Sequence, residues 1–460
     1  MRFISRTVEL EKLERVISSE EMAVALVYGR RRVGKSELVT QALLKSRAKS
    51  INYECKQVAE KSNVASLSEI VSEVLGLPKL GFADMESLLR FIFEASLKEK
   101  IVLVLDEYPY LRESIQGMDS ILQSLIDKYR KTAKLTLIIL GSYVDTMRSI
   151  LEYENPLYGR VDLTIDLKPM DYYESSLFYP NYSPEDKVRI YSVFGGIPYY
   201  NRFIDDSKSV EENIISLIAS DGAILENEVP LYLNAQLSKI ANANEVFLAL
   251  AKGFNKYSDI LSQSHVSSGP TLADVLEKLI GMEVVSKSAP INDENNRRKV
   301  SYRISDNLSS FYYRYSFPYS SQMKIMDPKV FYRKYIESDF EESYVPHMFE
   351  AICRQYLIRK NKSGEIDPVI EKIGKYYYDD PKQRKNGEFD IVSLDANGYI
   401  FYEVKFSKNP LTDEVVKKEI KQVEETGLGC YKYVFFTRSG FSCTPRENVE
   451  FIDLEKLFSE

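Results

Sequence analysis

At 460 residues the chain implies roughly three domains, and 44% hydrophobic with 28% charged residues fits a globular protein rather than a disordered one. A net charge of −7 excludes a global field that draws in nucleic acid, and no stretch reaches the roughly 18 consecutive apolar residues of a membrane span. Cys55, Cys353, Cys430 and Cys443 form no C-x-x-C pair and there are only two histidines, which argues against zinc; the first residues lack an apolar leader, so a cytoplasmic location without membrane contact is expected.

The first strong signal is the apolar strand Leu26-Val27-Tyr28 running into Gly29-Arg30-Arg31-Arg32-Val33-Gly34-Lys35-Ser36, a complete G-x-x-x-x-G-K-[ST] phosphate loop. Its glycines permit a tight, partly left-handed backbone that turns successive N–H groups toward phosphate, and the helix that follows from Glu37 adds its positive end. Lys35 suits the β- and γ-phosphates and Ser36 a magnesium ion, so ATP and Mg2+ are the expected ligands. Residues 50–53 read as a second strand, and 64–75 and 85–98 as helices.

The run Ile101-Val102-Leu103-Val104-Leu105-Asp106-Glu107 describes a buried parallel strand that presents two carboxylates at its C-terminal end. Asp106 is expected to hold magnesium, and Glu107 to polarise the attacking water. The next strand, 135–140, ends in Gly141-Ser142, which makes Ser142 a candidate γ-phosphate sensor. Arg160 is read two ways, as a stabiliser of transition-state charge or as a surface ion pair.

Together these strings resemble the archaeal-type ATPases of the AAA+/STAND P-loop class, with Leu105-Asp106-Glu107-Tyr108-Pro109 and Pro156-Leu157-Tyr158-Gly159-Arg160 adding to the match. Phe194-Gly195-Gly196-Ile197-Pro198 is similar to the G-x-P motif of that class, which implies that Gly196 and Pro198 lie near the nucleotide. The opening Phe3-Ile4-Ser5-Arg6 fits the family's start near the adenine. Ser142-Tyr143 departs from the two serines many members carry.

Residues 171–233 read as a tyrosine-rich helical lid. Within 234–318, helical patterns at 234–252, 257–261 and 270–279 precede strands at 283–287 and 300–305, the order of a winged helix. The third helix carries Asp274 and Glu277 against Lys278, poor equipment for reading a DNA groove, so an internal coupling role is favoured over DNA contact through Arg297, Arg298 and Lys299.

In the last third, Phe389-Asp390-Ile391-Val392-Ser393-Leu394 and Tyr399-Ile400-Phe401-Tyr402-Glu403-Val404-Lys405 alternate as two strands about the turn at Asp395-Ala396-Asn397-Gly398. Period two places Glu403 and Lys405 on one face. Asp390 and Glu403 could donate oxygens to a divalent metal while Lys405 orients water. The pattern resembles the PD-(D/E)XK restriction-endonuclease-like superfamily, which implies a catalytic acid at Glu350 on the preceding helix and support from Gln422 on the following one; Phe389 replaces the usual proline. Lys375, Lys382, Arg384, Lys385, Lys408, Lys417, Lys418 and Lys421 could form a phosphate-facing rim, with Tyr376, Tyr377 and Tyr378 as surfaces for bases; a solvated loop beside a tyrosine-rich strand is the equal alternative.

The expected protein is α/β: a P-loop ATPase domain with a parallel sheet (1–170), a helical lid (171–233), a winged-helix domain (234–318) and a restriction-endonuclease-like domain (319–460). ATP hydrolysis would switch an effector that binds or cleaves DNA or another nucleic acid with Mg2+; the alternatives are an ATP-regulated binding protein with an inactive C-terminal domain and a self-associating remodeller.

Overall fold

Unbroken apolar runs demand a sheet covered on both faces, and three of the first five strands, at 23–28, 101–106 and 135–141, meet that demand. In the computed structural model, which describes residues 3–237, 242–380 and 385–459, β1 (Ala23–Tyr28), β2 (Lys49–Glu54), β3 (Ile101–Asp106), β4 (Leu135–Gly141) and β5 (Leu163–Asp166) pair in parallel. Their order is β2-β3-β4-β1-β5. Helices α1 (Thr7–Ser18), α2 (Lys35–Leu44), α3 (Glu60–Leu75), α4 (Met85–Ala95) and α5 (Met118–Tyr129) accompany them. Leu67 of α3, Leu88 and Ile92 of α4 and Leu122 of α5 share one core with Leu26, Leu103 and Leu137 of the sheet. Parallel strands bring their C-terminal ends to one edge, so the residues after β1, β3 and β4 become neighbours.

These elements form one compact unit, Met1–Pro169 with Ile197–Tyr199; Met170–Gly196 and Tyr200–Glu460 form a second. Most of the stretch expected as a separate lid is built into this second unit by its tyrosines. The Tyr172 hydroxyl donates to the Leu457 carbonyl at 2.7 Å, and the Arg359 guanidinium lies 3.9 Å from the centre of the Tyr173 ring. From α6 (Pro184–Phe194), Glu185 pairs with Arg438 at 2.7 Å and Arg189 with Glu341 at 2.8 Å.

The middle of the second unit contains α7 (Ala243–Ala251), α8 (Tyr257–Gln263) and α9 (Gly269–Gly281), then an antiparallel pair, β6 (Val285–Ser288) with β7 (Ser301–Ile304). Residues 238–241 of the expected first helix lie outside the described residues. On α9, Lys278 is paired with Asp274 at 2.7 Å.

Helix α10 (Val345–Lys362) leads into a five-stranded mixed sheet: β8 (Lys372–Asp380), β9 (Lys385–Asp395), β10 (Gly398–Lys405), β11 (Cys430–Thr437) and β12 (Val449–Asp453), with α11 (Asp413–Glu425) between β10 and β11 and α12 (Leu454–Phe458) at the end. Spatial order follows chain order, β8 to β12; β8, β9 and β10 run antiparallel in turn, whereas β10, β11 and β12 are parallel. Phe401, Tyr433 and Phe435 share a core with Val416 and Val423 of α11. The opposite face holds Tyr402 and Phe436, against which Tyr356 of α10 packs at 5.9 Å between ring centres.

Candidate functional site

The loop between β1 and α2 is closed by conformations most side chains avoid. Gly29 has φ 151°, and a Cβ there would lie 2.2 Å from the Leu167 carbonyl oxygen; Gly34 has φ 100°. Arg32 also takes a positive φ, 68°, and its guanidinium stacks 3.9 Å from the Tyr199 ring centre, while Pro198 Cγ lies 4.0 Å from the Cβ position at Gly34. The Ile197–Tyr199 segment is thereby fastened to the phosphate loop. Gly196 instead serves its own unit: a Cβ there would lie 1.8 Å from the Met170 carbonyl oxygen. Arg30 and Val33 are buried, whereas Arg31, Ser36 and Glu37 are exposed, with Glu37 accepting from Gln41 at 2.8 Å.

Lys35 is buried, and its Nζ donates to the Gly29 and Arg30 carbonyls at 3.0 and 3.1 Å and to Ser142 Oγ at 2.8 Å. Burial lowers its pKa, opposed by the charges of Glu107 and Asp106. Ser142 passes the interaction on, donating from Oγ to Glu107 Oε1 at 2.5 Å and from its backbone N–H to Glu107 Oε2 at 3.1 Å. Glu107 holds φ 52°, a strained conformation for a residue with a side chain. The Ser36 hydroxyl donates to Asp106 Oδ2 at 2.6 Å. A hydroxyl beside a carboxylate is an oxygen donor set suited to a hard cation, so Ser36 and Asp106 fit the expected Mg2+.

Arg160 departs from its transition-state reading. It forks onto Asp127 of α5, with Nε and Nη2 at 2.8 and 2.7 Å from the two carboxylate oxygens. The neighbouring Asp162 accepts from the backbone N–H of Val24, at the start of β1. The phosphate loop leaves the other end of that six-residue strand, roughly 20 Å away at about 3.3 Å per residue. Of its two readings, the ion pair is the one realised.

In the second unit the hairpin β9–β10 forms as expected. Tyr402 pairs with Ile391, so the following Glu403 and the preceding Asp390 are brought side by side. Glu403 Oε1 lies 2.6 Å from Lys405 Nζ, which also donates to Glu419 Oε1 of α11 at 3.0 Å. Burial pushes the Glu403 carboxyl up to about 7 against the pull of Lys405, with Glu419 and Asp390 adding repulsion. Asp390 Oδ1 is 3.3 Å from Lys375 Nζ, which donates to Glu388 Oε1 at 2.7 Å.

Glu350 does not join this group. Its helix, α10, covers the face of Tyr402 and Phe436, opposite to that of Glu403, and Glu350 pairs with His347 Nδ1 at 3.2 Å. Among the described residues no three His, Cys, Asp or Glu side chains converge as a metal cage. Two carboxylates with the balance left to water still suit Mg2+, which keeps several waters. An unpartnered polar atom adds to the fit: Thr437 Oγ1 is buried without a hydrogen-bond partner, and Thr437 is registered beside Lys405.

Gln422, expected to give support, is exposed, and it is Glu419 of the same helix that accepts from Lys405. Tyr376 and Tyr378 pack edgewise or tilted on Tyr399 and Phe389, and Tyr377 lies under Lys299, so none of the three is a bare platform for bases. Lys382 and Arg384 lie outside the described residues.

Residues 3–201 match a family described as an ATPase domain predominantly from Archaea. The N-terminal unit is thus an ATP-binding domain of the archaeal ATPase type. Residues 312–423 match a family of archaeal and bacterial proteins of unknown function. Over 419 residues, 90% of each chain, the protein is 27% identical to an uncharacterised protein of Methanocaldococcus jannaschii. A Walker-type ATPase of Pyrococcus abyssi shares the fold over 68% of this chain and 96% of its own, with a TM-score of 0.52 and 20% identity.

Proposed function

We propose that the protein is an ATP-hydrolysing switch whose second unit carries a divalent-metal-dependent site acting on nucleic-acid phosphodiesters. The relay Lys35–Ser142–Glu107 supports the first half. Lys35, Ser36 and the loop amides would hold the triphosphate, and Glu107, oriented by Ser142, would take the proton of the attacking water. Magnesium on Ser36 and Asp106 would neutralise phosphate charge.

The observation that carries the second half is Asp390, Glu403 and Lys405 meeting on adjacent strands of a mixed sheet flanked by α10 and α11, the arrangement expected of a restriction-endonuclease-like domain. Asp390 and Glu403 would hold Mg2+, and Lys405, steadied by Glu419, would orient water. The helices and hairpin of 243–304 would act as a coupling element of winged-helix type. Binding without cleavage is a second reading, favoured by the lysines that neutralise both carboxylates.

ATP turnover by the purified protein should fall about a hundredfold or more in Lys35→Ala. Mg2+- or Mn2+-dependent cleavage of DNA should vanish in Asp390→Ala and Lys405→Ala. Salt-sensitive DNA binding with no products would select the second reading.

A further inference from the structure

Between β8 and β9 the ladder slips. Gly374 pairs with Val392 and Tyr376 with Phe389, so Lys375 alone faces two residues, Ile391 and Asp390. This is a β-bulge in β9, a device that re-aims a side chain, and its mark is that Phe389 and Val392, three apart, enter the same apolar cluster. The bulge sets Asp390 against Lys375.

Lys375 is also anchored from behind. Glu388 accepts from it through Oε1 and, through Oε2, from Lys256 Nζ at 2.9 Å. Lys256 is fixed in turn by the Lys299 carbonyl at 3.0 Å and Ser301 Oγ at 2.8 Å. Four alternating charges therefore run from the β6–β7 hairpin to Asp390. The last link is the loosest: 3.3 Å against 2.7 Å to Glu388. Lys375 and Glu388 are about four-fifths covered, whereas the Asp390 side chain is 51% exposed. Asp390 needs no partner to tolerate its position, and Lys375 already has one in Glu388.

We infer that Lys375 is a resident counter-cation of Asp390 that a divalent metal has to displace, so that it sets the site's affinity for Mg2+ or Mn2+. This rests on the metal-site reading above. An ammonium held within about 5 Å of a dication opposes its binding by on the order of tenfold even at the dielectric of water.

The test is Mn2+ binding to the full chain, nucleotide-free and carrying Asp106→Asn to silence the first site, followed by paramagnetic resonance of unbound Mn2+. Lys375→Gln should bind about tenfold more tightly, Lys375→Arg like the parent, and Glu388→Gln several-fold more weakly because the ammonium then falls wholly to Asp390. Asp390→Asn reports whether the ion sits here. If no variant shows binding that depends on Asp390, the metal-site reading fails and the inference with it. If such binding exists but Lys375→Gln is unchanged or weaker, the role of Lys375 is overturned while the site stands. Should Lys375→Gln not fold, equal or tighter binding by Glu388→Gln overturns the inference.

Discussion

Ser142 and Glu403 show how differently single residues yield to sequence reading. Ser142 follows a buried strand, and parallel pairing fixes where strand ends go, so its meeting with Lys35 was predictable from pattern alone. Glu403 was placed on the right strand, but its electrostatics come from α11 and β9. Its carboxyl titrates near 7 against an ordinary 4.5. Below the ordinary value both folded and unfolded chains hold the proton and no penalty exists; as pH rises to about 7 only the unfolded chain ionises, so stability is lost across that window. Glu403→Gln should therefore gain about 1–3 kcal/mol in urea denaturation near pH 8 and nothing near pH 4. Equal gains at both pH values would assign the effect to packing.

Among elements, the segment between β6 and β7 was expected between two strands, and they pair antiparallel, but its attachment was not legible. Ile291 donates its N–H to the Lys375 carbonyl at 2.8 Å, and the Asn292 amide accepts from the Tyr377 N–H at 3.0 Å and donates to the Tyr377 carbonyl at 2.7 Å. A side-chain amide thus stands in for a sixth strand on β8, whose outer edge would otherwise be left unpaired. Glu294–Lys372 at 2.7 Å and Lys299 over Tyr377 complete the dock. Asn292→Ala should speed hydrogen exchange at the Tyr377 amide and cost about 1–2 kcal/mol, while amides of the β9–β10 ladder stay protected.

The same limits explain the misses. Which of its two readings Arg160 takes depends on where its loop lies: β5 pairs in parallel with β1, so the loop before β5 meets the sheet at the end away from the phosphate loop. That Lys375 faces Asp390 is not legible in the pattern, because a bulge is a register event that side-chain periodicity does not encode. That Glu419 rather than Gln422 meets Lys405 depends on how α11 packs against β10, which the pattern along the helix does not encode.

At the scale of the whole molecule, the chain leaves the first unit at Pro169, returns for Ile197–Tyr199 and leaves again. Ile197 and Pro198 of the expected G-x-P motif, with the following Tyr199, meet the phosphate loop through Pro198 beside Gly34 and Tyr199 under Arg32. The nucleotide domain is therefore completed by a segment distant in sequence, and ligand binding should register there first. A ligand that binds only the folded unit stabilises it by about 2.7 kcal/mol at a hundredfold excess over Kd. Calorimetry with Mg-ATP should raise the transition of the first unit in the parent chain and leave it unmoved in Lys35→Ala. Tyr199→Ala should retain the shift but require two- to fivefold more nucleotide, about the value of one exposed cation–π contact. An unchanged nucleotide requirement in Tyr199→Ala would show that the Arg32 stack holds the segment in place without shaping the loop for phosphate.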